Sequence, residues 1–300
     1  MKTNAQIEVL RCRPLLGTLV EIAALGRNEV QLERAIGMAF TDVTKVHRLM
    51  SYYDPRSDVS HMNREAFPKT VIVHPWTWRV LAAAQQFARD SNGTFSVTIA
   101  PILAGWRYLP RHGYRADATA TWRDIFLRKN CRVFFRRQLT VDLGGIAKGF
   151  AVDRAVEVLK RNGVRAGIVN AGGDLRVFGS PSQLVHLWHP AEPKRAAGVV
   201  RLRERAIATS GIYFARKKNR RCYVSPILNA RTGQAACDLI SVTVGAASCM
   251  TADALTKVVF ALGERAAPLL ARYCADALLL KQDGVPSWMF HRTCDPCRQT

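Results

Sequence analysis

The sequence predicts a fold of mixed helices and strands, and three observations carry that prediction. From Thr140 to Gly179 an extended run, a Gly-Gly turn, a helical stretch and a second apolar run follow one another, closed by a second Gly-Gly turn. Asn28 to Met50 has the spacing of one long amphipathic helix. Beyond Gln183, short apolar runs alternate with turn residues before a last pair of helices.

Composition narrows the class. The 300 residues are 48% hydrophobic and 22% charged, a globular balance. No run approaches the roughly 18 consecutive apolar residues of a membrane span. The start, MKTNAQIEVLRCRPLLGTLVEI, shows no apolar h-region or small-residue cleavage site, so a cytoplasmic location is expected. The formal charge of +21 favours anionic partners such as phosphates. Its basic clusters, Arg132 to Arg137 and Arg216 to Arg221, come without a nucleic-acid-binding motif, so no specific nucleic acid is expected. The wide spacing of the cysteines argues against a disulfide framework. Cys294 and Cys297 form one C-x-x-C near the end of the chain, which is only half of a zinc site, so a tail without function is expected ahead of metal or redox use.

In chain order, two apolar runs between Ile7 and Ala24 are split by Arg11-Cys12-Arg13-Pro14, and the second, from Leu19, reads as a strand. Leu32, Ile36, Phe40, Val43, Val46 and Met50 then share one helix face. Ser57 is placed to cap a short helix carrying Val59 and Met62. Tyr52 and Tyr53 sit just before it, where an aromatic ring could stack on a planar ligand or simply pack. A second helix is expected over Pro75 to Asp90, with proline in its first turn and Asn92-Gly93 after it. Gly93 to Tyr108 reads as extended chain followed by an apolar turn, and residues 109–139 as a basic, irregular lid or insertion.

The central stretch is the most informative. Phe150, Ala151, Ala155, Val158 and Leu159 give a helical stripe that stops at Asn162-Gly163. A helix start behind Gly144-Gly145 suits a phosphate, because free N–H groups point outward there, and Lys148 adds a cation. The same letters fit two ordinary turns of an α/β protein. Strands are expected at Gln183 to His189, Gly198 to Arg203, within Arg205 to Tyr213, at the start of Val224 to Gly233, and at Ile240 to Gly245. Helices follow at Ser248 to Gly263 and Ala266 to Tyr273, and a final strand at Ala277 to Leu280.

The motifs Asp142-Leu-Gly-Gly-Ile-Ala-Lys-Gly-Phe-Ala-Val-Asp153, Asn170-Ala-Gly-Gly-Asp174, Thr209-Ser-Gly211, Arg231-Thr-Gly233 and Ala252-Asp-Ala-Leu255 stand in this order. Together they make the chain resemble the ApbE family, the FAD:protein FMN transferases, from roughly Pro14 to Leu280. The resemblance implies an α+β, T-fold-related architecture of two lobes, with mixed and antiparallel sheets flanked by helices and a cofactor cleft between them. It implies one domain over residues 8–285, followed by a tail over 286–300. It also implies Mg²⁺-dependent transfer of FMN from FAD to a Thr or Ser hydroxyl of an acceptor flavoprotein, such as a membrane-bound redox subunit, with release of AMP.

Position by position, the resemblance places Leu16, Tyr53, Thr94, Phe95, Ser96, Asp142, Lys148 and Leu228 on FAD. It places Asp253 on the metal, with the backbone of Gly145 to Ala147 supplying a carbonyl and Thr256 close by. Asp253 and Lys257 are the expected catalytic pair. Leu16 stands where the family usually has methionine, which keeps an apolar contact, and three further positions depart from the family pattern. Phe95-Ser96-Val97-Thr98 lacks a carboxylate, Pro226 stands where the family has a histidine proposed as base, and Lys257 stands where it has a threonine. Loss of a general base costs about 10²–10⁴-fold in rate. Lys257 lies one helical turn after Asp253, on the same face. It could pair with Asp253, repel Mg²⁺, and neutralise a phosphate itself. An FAD-binding relative without transferase activity is therefore the alternative reading.

Overall fold

The computed structural model describes residues 6–289, apart from 190, 191, 214, 220 and 221. The chain opens with a hairpin, β1 (Ile7–Leu15) and β2 (Thr18–Gly26), and the long helix α1 (Glu29–Met50). The expected start signal forms at α1: the Asn28 side chain accepts from the Gln31 amide at 3.1 Å, and Glu29 sits in the first turn. All six residues predicted for its inner face are buried.

A smaller region follows, comprising α2 (Asp58–Glu65), β3 (Thr70–Ile72), α3 (Pro75–Asp90), α4 (Ala100–Gly105), β4 (Ile125–Arg128) and β5 (Arg132–Phe135). Ser57 caps α2 as expected, accepting from the Ser60 amide at 3.0 Å. The strands pair antiparallel in the order β3-β5-β4. Residues 109–121 are irregular as expected, but the structure corrects the rest of the lid or insertion expected over 109–139. Residues 125–128 and 132–135 form a hairpin whose Ile125, Val133 and Phe135 enter the core. The arginines between them mask a two-residue alternation. Gly93 to Ile99 is likewise not a strand: Phe95 and Val97 are buried in turns and bends, and α4 follows.

The second half begins with α5 (Ala147–Arg161) and continues through β6 (Ala166–Ala171), β7 (Asp174–Phe178), β8 (Gln183–His189), β9 (Glu192–Leu202) and β10 (Ala206–Gly211). Four short strands follow, β11 (Lys217–Asn219), β12 (Cys222–Val224), β13 (Leu228–Asn229) and β14 (Gln234–Ala235). The described chain closes with β15 (Leu239–Ala246), α6 (Cys249–Leu262), α7 (Ala267–Arg272), β16 (Asp276–Lys281) and β17 (Pro286–Met289). β17 pairs with β16, so regular structure extends into residues the sequence reading assigns to the tail. Cys294 and Cys297 lie outside the described residues.

Eight strands form one antiparallel sheet in the order β1-β2-β6-β7-β10-β15-β16-β17. α1, α5 and α6 cover one face, with α5 nearly all buried between the other two. The smaller three-stranded sheet joins the same hydrophobic core. On the opposite face the β8–β9 hairpin covers a second apolar cluster of Leu175, Val177, Leu187, Leu202, Ile207 and Leu278.

Candidate active site

The site is built where α5 crosses α6. Gly149 makes the crossing possible, since a Cβ there would lie 2.3 Å from the Cys249 carbonyl oxygen. Its amide donates to Asp253 Oδ2 at 3.1 Å, so a carboxylate of α6 caps the first turn of α5. The reciprocal cap comes from Asp153 on α5. Its two oxygens accept from the Cys249 and Met250 amides, both at 2.9 Å, at the start of α6. Arg176 also donates to Asp153, at 2.7 Å. Burial pushes the Asp153 carboxyl up against these favourable contacts.

Four charged side chains alternate at the crossing. Lys257 pairs with Asp253 Oδ1, and Lys148 pairs with Asp174 Oδ2. Asp253 and Asp174 have no exposed surface. Burial alone would raise the Asp253 carboxyl, but the Lys257 and Lys148 ammoniums outweigh it and hold that carboxyl below the usual range. Burial would likewise lower Lys148, yet Asp174 and Asp253 hold its ammonium above the ordinary lysine range. Burial and the Asp253 charge push the Asp174 carboxyl up, opposed by Lys148 and Lys257. Asp174 Oδ1 has no hydrogen-bond partner among the described residues.

A narrow cleft opens beside this cluster. Thr94, Phe95, Ser96, Asp142, Gly145, Leu228 and Lys257 line it, so seven residues expected at the site from widely separated segments meet on one cavity. Pro226 stands on its wall. Ser96 Oγ is 2.8 Å from Thr98 Oγ1 and accepts from the Thr98 amide. Desolvation pushes the Asp142 carboxyl up to about 6, against amide hydrogen bonds from Gly144 and Leu143.

The remaining expected residues lie elsewhere. Leu16 occupies the β1–β2 turn with φ of 57°, its amide 3.5 Å from His47 Nδ1. Tyr53 is 62% exposed and borders a second, shallower hollow with Arg107, Tyr108 and Arg111. Its hydroxyl is raised by burial and then by the charge of Asp142. Lys148 and Ala147 are absent from the cleft wall, and Lys148 faces Asp174 instead. The expected row of free amides at the start of α5 is partly taken up within the protein. The Ile146 and Ala147 amides bond to the Leu143 carbonyl at 3.1 and 2.9 Å, and the Gly149 amide is taken by Asp253.

A magnesium site on Asp253 requires oxygen lone pairs facing a shared point. Asp253 Oδ1 carries the Lys257 ammonium and Oδ2 the Gly149 amide. The Thr256 hydroxyl, wholly buried, donates to the Asp253 carbonyl at 2.7 Å and lies 2.8 Å from Ser210 Oγ. No group of three or more His, Cys, Asp or Glu side chains suited to a metal occurs among the described residues. The residues present do not fit a divalent cation at Asp253.

Two residues carry more of the site than the sequence reading assigned to them. Asp153 fixes the two helices and Asp174 holds Lys148. Each stands beside a glycine motif already singled out, and an acidic residue in a buried apolar stretch was the available signal.

Comparison with known proteins agrees with this architecture. The model of the ApbE family matches residues 16–279. An FAD:protein FMN transferase of Vibrio cholerae is 27% identical over 238 residues, covering 73% of this chain and 71% of that protein. One from Haemophilus influenzae is 29% identical over 244 residues, covering 73% and 70%. Among solved structures, the ApbE protein of Thermotoga maritima superimposes with a TM-score of 0.84 at 24% identity, covering 94% of this chain and 96% of that one. The apo form of the Pseudomonas stutzeri flavinyl transferase ApbE gives 0.82 at 22% identity, covering 96% of each. With a family match over residues 16–279, most of its length, the chain belongs to the ApbE family.

Proposed function

We propose that this protein transfers FMN from FAD to a hydroxyl of an acceptor flavoprotein. The observation that carries the reading is the convergence of Thr94, Phe95, Ser96, Asp142, Gly145, Leu228 and Lys257 on one cleft beside paired lysines. Its relatives bear the name FAD:protein FMN transferase. In the reaction the acceptor Thr or Ser oxygen bonds to the phosphorus on the FMN side of the pyrophosphate. The bond from that phosphorus to the bridging oxygen breaks, AMP leaves with that oxygen, and the hydroxyl proton is released. Cations beside the pyrophosphate offset the charge that builds on the leaving group. Magnesium is left out of the proposal because Asp253 is already paired with Lys257. A membrane-bound redox subunit is the kind of acceptor that the resemblance implies.

The test is incubation with FAD and an acceptor flavoprotein carrying a target threonine. Covalent FMN on the acceptor, seen by mass, together with an equal amount of AMP, is the expected result. Absence of both products sinks the proposal.

One observation favours a second reading, in which FAD is bound but not split. Pro226 stands on the cleft wall, and no histidine lines the cleft among the described residues. That reading expects bound FAD recovered intact.

A further inference from the structure

We propose that Lys257 is the resident cation of the phosphate subsite, so that the protein binds the diphosphate of FAD without a divalent metal. The inference rests on the FAD-binding part of the proposed function and adds to it the source of positive charge.

The first argument is occupancy. Asp253 has two carboxylate oxygens, one on the Gly149 amide and one on the Lys257 ammonium. A metal would have to displace a charged partner from a fully buried carboxylate, which leaves a buried charge exposed to repulsion. The second is net charge. With both carboxyls ionised, Asp174, Asp253, Lys148 and Lys257 sum to zero. A neutral cluster offers a divalent ion no net long-range attraction. Replacing Lys257 with a neutral side chain makes the cluster anionic and creates that attraction.

The third argument is reach. Lys257 lines the cleft, and its side chain keeps 20% of its surface exposed. Its Cε lies 3.7 Å from the point where a Gly145 Cβ would stand, so the stem runs over the glycine turn. An ammonium has three donors, and Asp253 uses one of them. The others are free to take a phosphate oxygen without breaking the pair. Lys257 then acts as a point charge on the diphosphate, held in place by Asp253. The amides of Ile146, Ala147 and Gly149 are already bonded within the protein, so they do not supply that charge.

Two titrations on the full chain test this, and each reads a different half. In the first, Mn²⁺ is added to the FAD-free protein and binding is followed by calorimetry. The parent is expected to take up no ion, and Lys257→Thr to take up one. Stoichiometric uptake by the parent that is lost in Asp253→Asn overturns the inference. In the second, FAD is titrated by fluorescence quenching in EDTA and again in excess Mg²⁺. The parent is expected to bind equally in both, within about twofold. Lys257→Thr should bind about tenfold more weakly in EDTA and recover with Mg²⁺, and Lys257→Arg should keep metal-independent binding. A tenfold gain by the parent on adding Mg²⁺ overturns the inference. Failure of the parent to bind FAD under either condition instead overturns the proposed function, and the Mn²⁺ titration still decides the metal question. Circular dichroism of each variant separates lost binding from lost folding.

Discussion

The chain carries two Gly-Gly turns, each beside an aspartate and one at either end of the α5–β6 segment, and they do opposite things. At Gly144-Gly145 the neighbouring Asp142 is on the cleft wall, and a Cβ at Gly145 would meet only ordinary contacts, at 3.7 Å from Phe95 and Lys257. At Gly172-Gly173 the backbone takes φ of 63° and 95°, and a Cβ at Gly172 would lie 2.3 Å from Thr18 Oγ1. The neighbouring Asp174 has no exposed surface and holds Lys148. The first turn leaves space at the cavity. The second closes the β6–β7 hairpin against the β1–β2 turn and fixes a charge. Identical letters thus mark a place for a ligand in one case and a folding constraint in the other.

The comparison predicts unequal responses. Gly172→Ala meets both a forbidding φ and a steric clash, and is expected to lower stability by about 2–4 kcal/mol in urea denaturation. A loss under about 1 kcal/mol would place this turn with the first. Asp142→Asn should do the reverse. The folded carboxyl is raised to about 6 by burial, above its unfolded value, so its ionisation costs stability as pH rises through that range. Parent and variant should be equally stable near pH 4. The variant should become more stable by on the order of 1–2 kcal/mol by pH 8, the cleft's partial opening trimming the gain. A gap that is constant with pH would show that Asp142 is not penalised for its charge. Gly145→Ala is expected to change stability least, by about 0.5 kcal/mol. It should nevertheless weaken FAD binding, because the added methyl narrows the cleft between Phe95 and Lys257.

Legibility followed periodicity. α1 was readable because Leu32, Ile36 and Phe40 recur at helical spacing on a chain whose other face is charged. The stripe of α5 was readable for the same reason, although burial on almost all sides hid that the helix is central. β4 and β5 were not, because Arg128, Arg132 and Arg136 break up a short alternation that only the three-stranded pairing reveals. At the site, Asp142 and Gly145 came from the Asp142 to Asp153 motif and the other cleft residues from the position-by-position resemblance. The pairing of Lys148 did not, because Asp174 is 26 residues away and only the crossing of elements brings them together. That both oxygens of Asp253 are already taken is likewise a property of packing, which no spacing encodes.

Position 257 gains its meaning from the way its helix is held. Gly149 against Cys249, Asp153 on the first amides of α6 and Asp253 on the first turn of α5 lock the two helices at three points, none of which involves the side chain at 257. The surroundings form a socket whose shape is set by other residues, into which different cations can be fitted. In such a socket the proposed replacement of a divalent ion by the Lys257 ammonium leaves all three anchoring points in place. The exchange proposed at position 257 therefore asks nothing of the frame around it.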